Sequence, residues 1–154
     1  MRKIFWLIFS LCIVVADQVT KYYAVKHLIL FQPHAVFPGL NFTLVYNYGA
    51  AFSFLNMPSV WVSWFFTVLS IVISIAIVIW LFRLSPCQIF TSMALACILG
   101  GAIGNVLNRI ALGYVIDFID VYYKTWHWPA FNIADSAICV GAVLLCVVYV
   151  RAKH

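Results

Sequence analysis

The sequence predicts an all-α membrane protein with four transmembrane helices, a small extracytoplasmic β-containing cap, and an interfacial segment before the last helix. Three observations predict it. The 154 residues are 66% hydrophobic and only 8% charged, more apolar surface than a soluble core of this size can hide. Four apolar runs are each long enough to cross a bilayer. Turn-forming and aromatic residues interrupt the apolar pattern between the first and second runs, and again before the fourth. A single integral-membrane domain over 1–154 follows, with no repeat, linker or low-complexity segment.

The first run starts at Ile4 behind Arg2 and Lys3, reads IFWLIFSLCIVVA and meets Asp17. A basic start and short apolar core resemble a cleavable signal peptide. The pattern continues as DQVTKYYAV, however, so a retained helix to about residue 24 is expected. Residues 26–58 contain Pro33, Pro38, Gly39, Asn41, Asn47, Gly49, Asn56 and Pro58, and LNFTLVYNYGAAF has short β-type runs broken by turn residues. This stretch is the predicted cap. The second span covers 60–82, with Ser63, Thr67, Ser70 and Ser74 as its polar positions. Arg83, Ser85 and Pro86 make a short turn. The third span, 87–107, carries Gly100, Gly101 and Gly104, a spacing that lets helices approach closely in lipid. Residues 110–131 mix Asp117, Asp120 and Lys124 with Tyr122, Tyr123, Trp126 and Trp128, an interfacial composition. The fourth span covers 133–150 and ends at Arg151 and Lys153.

The net charge of +5 suggests nucleic acid only until the basic residues are placed. Arg2, Lys3, Arg83, Arg151 and Lys153 flank one set of span ends; Lys21, Lys26, Arg109 and Lys124 lie near the other. The bias puts both termini in the cytoplasm, with the cap and all the carboxylates towards the outside. No basic stripe exists to track phosphates, so no nucleic-acid partner is expected. Cys12, Cys87, Cys97, Cys139 and Cys146 form no CxxC pair and are expected to be plain buried thiols. His27, His34, His127 and His154 show no metal-ligand spacing, so neither a metal site nor a cofactor is expected.

Asp17, Asp117, Asp120 and Asp135 are the entire acidic inventory. An ionisable group near hydrocarbon costs about 2.5–3.5 kcal/mol on insertion scales, so it usually faces protein or a wet cavity and has a function. Ser53 and Ser136 lack a basic partner at helical spacing, and thiolates are disfavoured in hydrocarbon. Carboxylates remain. Two placed together cannot both ionise freely; one keeps a proton while the other acts as a base, so the pair can activate water and protonate a leaving amine. Asp117 follows the third span in GYVIDF, and Asp135 opens the fourth in FNIADS. Antiparallel helices joined on the outer side would bring them together. Each also has a plainer reading: Asp135 as a first-turn carboxylate favoured by the helix dipole, Asp117 as an interfacial residue. Asp120, read as one helical turn beyond Asp117, is expected to be structural. Asp17 and Lys21, at i and i+4, have the spacing of an intrahelical ion pair. Asn105, Asn108 and Arg109 share one helical face, where the arginine can hold a carbonyl, carboxylate or lipid phosphate, or snorkel to the headgroups. A proton-coupled transporter subunit and a non-catalytic assembly factor are the competing classes.

Five blocks resemble those of the lipoprotein signal peptidase (signal peptidase II) family. Asp17-Gln18-Val19-Thr20-Lys21 is similar to its DQxTK element. Asn47-Tyr48-Gly49-Ala50-Ala51-Phe52-Ser53 is similar to NxGAAFS, and residues 100–109, GGAIGNVLNR, to GGAxGNxxDR. Val115-Ile116-Asp117-Phe118 and Phe131-Asn132-Ile133-Ala134-Asp135 resemble the blocks carrying the family's catalytic aspartates. Asn108 stands where the family usually has aspartate. The resemblance implies a bacterial aspartyl endopeptidase of the inner membrane. It would remove the signal peptide from diacylglyceryl-modified prolipoproteins, cutting before the lipidated cysteine at the outer membrane surface. It implies Asp117 and Asp135 as the catalytic pair, with Asn47, Gly49, Asn105, Asn108, Arg109, Asn132 and Ala134 binding or supporting substrate. Asp17 and Lys21 would brace the first helix, and residues 47–52 would help close over the bound peptide. Membrane lipids and the inhibitory cyclic peptide globomycin are implied as further partners, and a monomer as the working state.

Overall fold

The computed structural model describes residues 2–49 and 60–151. In chain order these form α1 (Arg2–His27), β1 (His34–Phe37), β2 (Leu40–Asn47), α2 (Val60–Arg83), α3 (Ile89–Leu112), β3 (Val115–Tyr123), β4 (Trp126–His127) and α4 (Ile133–Arg151). All four helices are long and apolar enough to cross a membrane. Ser53, Asn56 and the rest of 50–59 lie outside the described residues, as does Lys153.

The helix α3 is the hub. In its span 72% of the residues are buried inside the protein, against 17% in each of the others. The other three pack around it, with Leu81, Leu95, Ala96 and Leu99 at the centre of one apolar cluster. Gly104 shows why the small residues are needed: a Cβ there would lie 2.7 Å from Asp17 Oδ2 and 3.3 Å from the Ala134 methyl. A glycine therefore lets α1 and α4 meet α3 at one level. The helix starts two residues later and runs five residues further than the composition predicts. It stops at Gly113, whose left-handed backbone (φ +84°) turns its N–H onto the Arg109 carbonyl at 2.9 Å. Asn105, Asn108 and Arg109 are consequently inside a helix rather than at its frayed end.

The predicted cap and the predicted interfacial segment are one structure, an antiparallel sheet in the order β1-β2-β3-β4. Pro38-Gly39 turns β1 into β2, with Gly39 at φ +97°. The VIDFIDVYY run hides its strand character because its first four residues are all buried, so no apolar/polar alternation survives. Leu44, Ile116 and Phe118 pack against Ala24 of α1 and seat the sheet on the helices. Asp117 and Asp120 therefore lie three residues apart on a strand, on opposite faces, and not one helical turn apart on the same face.

One cysteine expectation is corrected. Only Cys97 is buried in protein; Cys12, Cys87, Cys139 and Cys146 are at the protein surface, all unpaired. Apolar runs in a membrane protein face lipid as readily as core.

Candidate active site

Asp117 comes from β3, and three local devices surround it. The first is a bulge in β2. The pairing Phe42↔Ile119 gives way to Val45↔Asp117 and Asn47↔Val115, an irregularity of one residue. Without it, Tyr46 rather than Asn47 would share the face of β3 that carries Asp117. As built, Asn47 Nδ2 donates to Asp117 Oδ2 at 2.9 Å. The second device is the pinning of Phe131 to β3 by paired backbone bonds with Ile119, 2.9 and 3.1 Å long, which brings Asn132 alongside the strand. The third is Asn132 itself, fully buried, whose Nδ2 donates to Asp117 Oδ1 at 2.6 Å.

Asp135 sits in the first turn of α4 and forms a reciprocal cap with Asn132. The Asp135 N–H donates to Asn132 Oδ1 at 2.9 Å, and the Asn132 N–H donates to Asp135 Oδ2 at 3.3 Å. The plainer reading of Asp135 as a helix-start carboxylate is thus part of its role. One asparagine caps α4 with its oxygen and holds Asp117 with its nitrogen, so the two carboxylates share a bracket. The remaining Asp135 oxygen accepts from Asn105 Nδ2 at 2.8 Å.

Burial pushes the Asp117 carboxyl from an ordinary 3.8 to about 7, and the charge of Asp135 adds to it. The amides of Asn47 and Asn132 and the charge of Lys21 pull the other way and do not prevail. A carboxyl that titrates near neutrality beside a second carboxylate is a group able to give or take a proton in a reaction.

Behind the pair, Lys21 Nζ lies 2.8 Å from Asp17 Oδ2, with both side chains 1% exposed or less. Lys21 also donates to Asn105 Oδ1 at 2.9 Å. Asp17 Oδ1 accepts the Ala134 N–H at 3.0 Å, which ties α1 to the start of α4. The face shared by Asn105, Asn108 and Arg109 divides among three neighbours. Asn105 meets Lys21 and Asp135. Asn108 donates to Gln18 Oε1 at 3.3 Å, and its own oxygen has no partner among the described residues. Arg109 reaches the Gly49 carbonyl at 3.0 Å and lies 5.8 Å from the centre of the Phe66 ring. An acid at position 108 would therefore face Gln18 and not Arg109. The Arg109 Nε, itself buried, likewise has no partner among the described residues, and the Arg109 side chain lines the groove beside it.

That groove, of about 190 Å³, opens between α2 and α4 over α3, with Phe66, Ser70, Ala102, Arg109, Asp135 and Ile138 in its walls. A second, larger space of about 420 Å³ lies further along the same gap between Trp80, Thr91, Leu145 and Tyr149. It is apolar and remote from the carboxylates.

The family model described as signal peptidase (SPase) II matches residues 9–151. This chain belongs to the signal peptidase II family. It is a multi-pass membrane protease. The lipoprotein signal peptidase of Acinetobacter baumannii (strain ATCC 17978) is 51% identical over 144 residues, 94% of this chain and 82% of the relative. That of Hydrogenovibrio crunogenus is 50% identical over 151 residues, 97% and 87% of the two chains. A solved bacterial membrane enzyme, determined by the in meso method at 2.3 Å resolution, superposes with a TM-score of 0.86. It is 31% identical, and the match covers 96% of this chain and 88% of that one.

In this peptidase the structure brings Asp17, Lys21, Asn47, Gly49, Asn105, Arg109, Asn132, Ala134, Asp117 and Asp135 into one bonded cluster. Among the described residues, Asn108 joins it only through Gln18. Of the segment expected to close over substrate, Asn47 bonds Asp117, Gly49 bonds Arg109, and 50–52 lie outside the described residues. Gln18 was missed as a site residue. It donates to Asp17 Oδ2 at 2.9 Å and to the Gly104 carbonyl at 3.0 Å; its neighbours in sequence, Asp17 and Lys21, were the available signal. The Asn-x-x-Asp cap of α4 was also legible, as a capping pair directly before an apolar run.

Proposed function

We propose that this signal peptidase II family member is an aspartic endopeptidase. It removes the signal peptide from diacylglyceryl-modified prolipoproteins, cutting just before the lipidated cysteine. The observation that carries the reading is the pair of carboxylates from two different elements, bracketed by Asn132, with Asp117 titrating near neutral pH. In such a pair the ionised carboxylate takes a proton from water as the oxygen attacks the scissile carbonyl. The protonated partner supplies the proton that the departing amine needs. The dyad titrates as a unit. Arg109 and Asn105, which line the groove, would orient substrate carbonyls.

The gap between α2 and α4 supports a signal helix lying along α3, with its cleavage end at Asp135 and its apolar body towards Leu145. The lipid tails would then stay in the bilayer while water reaches the bond. We assign the sheet and the aspartates to the outer face of the bacterial inner membrane and both termini to the cytoplasm, from the lysine and arginine bias. Globomycin is expected to compete for the same groove.

The test is cleavage of a diacylglyceryl-prolipoprotein by the purified protein in lipid. Asp117→Asn and Asp135→Asn should each lose about 10²–10⁴-fold in kcat while still binding substrate. A chelator and a serine-protease inhibitor should have no effect. Two active Asn variants would remove the dyad and return attention to Ser136 or Ser53.

A further inference from the structure

The mechanism uses Asp117, Asp135 and the asparagines that touch them, and leaves a buried lysine unexplained. Lys21 is 1% exposed, and its ammonium group is bonded to Asp17 and Asn105. As a brace it is a poor choice. A buried ion pair contributes little net stability, because desolvating both ions offsets their attraction. Asp17 already joins α1 to α4 through the Ala134 N–H.

We propose that Lys21 is a positioning residue of the cleavage reaction: by donating to Asn105 Oδ1 it fixes which end of the Asn105 amide faces Asp135. The inference rests on the aspartyl reading above. An asparagine amide has two ends of similar size, one donating and one accepting, and its neighbours decide the orientation. An ammonium group has only donors, so only the oxygen of Asn105 can face it. Asn132 Nδ2 adds a second donor to the same oxygen at 3.3 Å. The NH2 end is thereby turned onto Asp135 Oδ1 at 2.8 Å. In the opposite orientation, Lys21 and the Asn105 NH2 would meet as two donors. The Asn105 carbonyl would face an Asp135 oxygen, a contact that only a protonated Asp135 relieves. Lys21 thus holds Asp135 ready as the proton acceptor by acting through Asn105.

The charges around Lys21 are Asp17 on its own helix, Asp135 of α4 and Asp117 of β3. The α3 helix contributes Arg109, which acts on the same two aspartates, and β2 carries no charged side chain.

Lys21→Met alone would leave Asp17 buried and unpaired, so the informative variant is Asp17→Asn/Lys21→Met. It removes both charges together and keeps an oxygen for the Ala134 N–H. Its fold is read by thermal unfolding in lipid and by binding of an uncleavable substrate peptide. Its chemistry is read by kcat and KM from pH 5 to 9. The expected result is KM within about twofold of wild type, kcat lower by at least about tenfold near pH 6, and the acid limb of the kcat profile moved up by about one pH unit. The deficit then shrinks as pH rises. Because Lys21 acts through Asn105, adding Asp17→Asn/Lys21→Met to Asn105→Ala should cost little more than Asn105→Ala alone. If the first variant does not fold, Asn105→Ala alone decides the matter, since it should move the acid limb up by a similar amount. An unmoved acid limb, an equal loss at every pH, or additive losses in the cycle would overturn the role. Asp117→Asn in the same assay separates the two readings. If it is dead, an unmoved double variant removes Lys21 alone; if it cleaves, the dyad falls and the Lys21 role with it.

Discussion

Asp117 and Asp120, three residues apart, are driven in opposite directions by their surroundings. Asp120 is buried, which pushes its carboxyl up. Donation from His127 Nδ1, Thr43 Oγ1 and Asn41 Nδ2, at 2.7, 2.9 and 3.3 Å, outweighs burial and holds it below the ordinary carboxylate value. Its folded pKa is depressed, so its contribution to stability is present above about pH 4 and lost as pH falls through the folded value. Asp120→Ala should lower stability at pH 7 by about 1–3 kcal/mol, the cost of orphaned donors, with cleavage per folded molecule unchanged; denaturant unfolding and an active-site titration read the two. For Asp117 the sign reverses. Its pKa rises from 3.8 to about 7 on folding, so the native state binds more protons than the unfolded chain between those values. Stability therefore falls as pH climbs through that window. Asp117→Asn should flatten that fall, and unfolding temperatures at pH 4.5 and pH 8 should draw closer together than in wild type.

At the scale of elements, the meeting of α1, α3 and α4 sets the level at which the polar cluster sits. Gly104 has no room for a side chain between Asp17 and Ala134. Gly104→Val should wedge the helices apart, stretch the Ala134–Asp17 bond and destabilise the protein by about 1–3 kcal/mol. Activity should fall more than the folded fraction does, because α4 carries Asp135; unfolding in lipid and kcat on the surviving fold give the comparison. The bulge in β2 is the matching device on the sheet. It aims Asn47 at Asp117, and Asn47→Ala, which removes the amide that the bulge delivers to that carboxyl, should lower kcat without unfolding the helices, as circular dichroism would register.

For the whole molecule the consequential feature is the unfilled gap between α2 and α4. The helix α2 packs on α3, and its outer face is apolar and exposed from Trp61 to Phe82, as expected of a surface turned to lipid. A substrate helix entering sideways would find the cleavage site at one end and apolar walls along the rest. Ser70→Trp fills the groove beside Asp135. It should raise KM by about tenfold with a smaller change in kcat, since it blocks binding and leaves the carboxylates in place; steady-state cleavage of a full signal-peptide substrate would separate these.

The sequence by itself determined the four spans, because spanning a bilayer demands long apolar runs whatever surrounds them. It also singled out Asp117 and Asp135, because carboxylates are so few and so costly near hydrocarbon. The order of motifs named the family. The tertiary structure decided what depends on partners distant in the chain. The cap and the interfacial segment, about 70 residues apart, become one sheet only by pairing β2 with β3. That pairing buries both faces of β3 and erases the alternation that would have announced a strand. The divergence of Asn105, Asn108 and Arg109 is likewise invisible to spacing, since each turns to the donor or acceptor that another element presents. Lys21 and Asp17 read as a local pair from four residues of sequence. Only the arrival of α3 and α4 gave them Asn105 and Ala134, because hydrogen-bond partners in a dry interior are assigned by packing and not by separation along the chain.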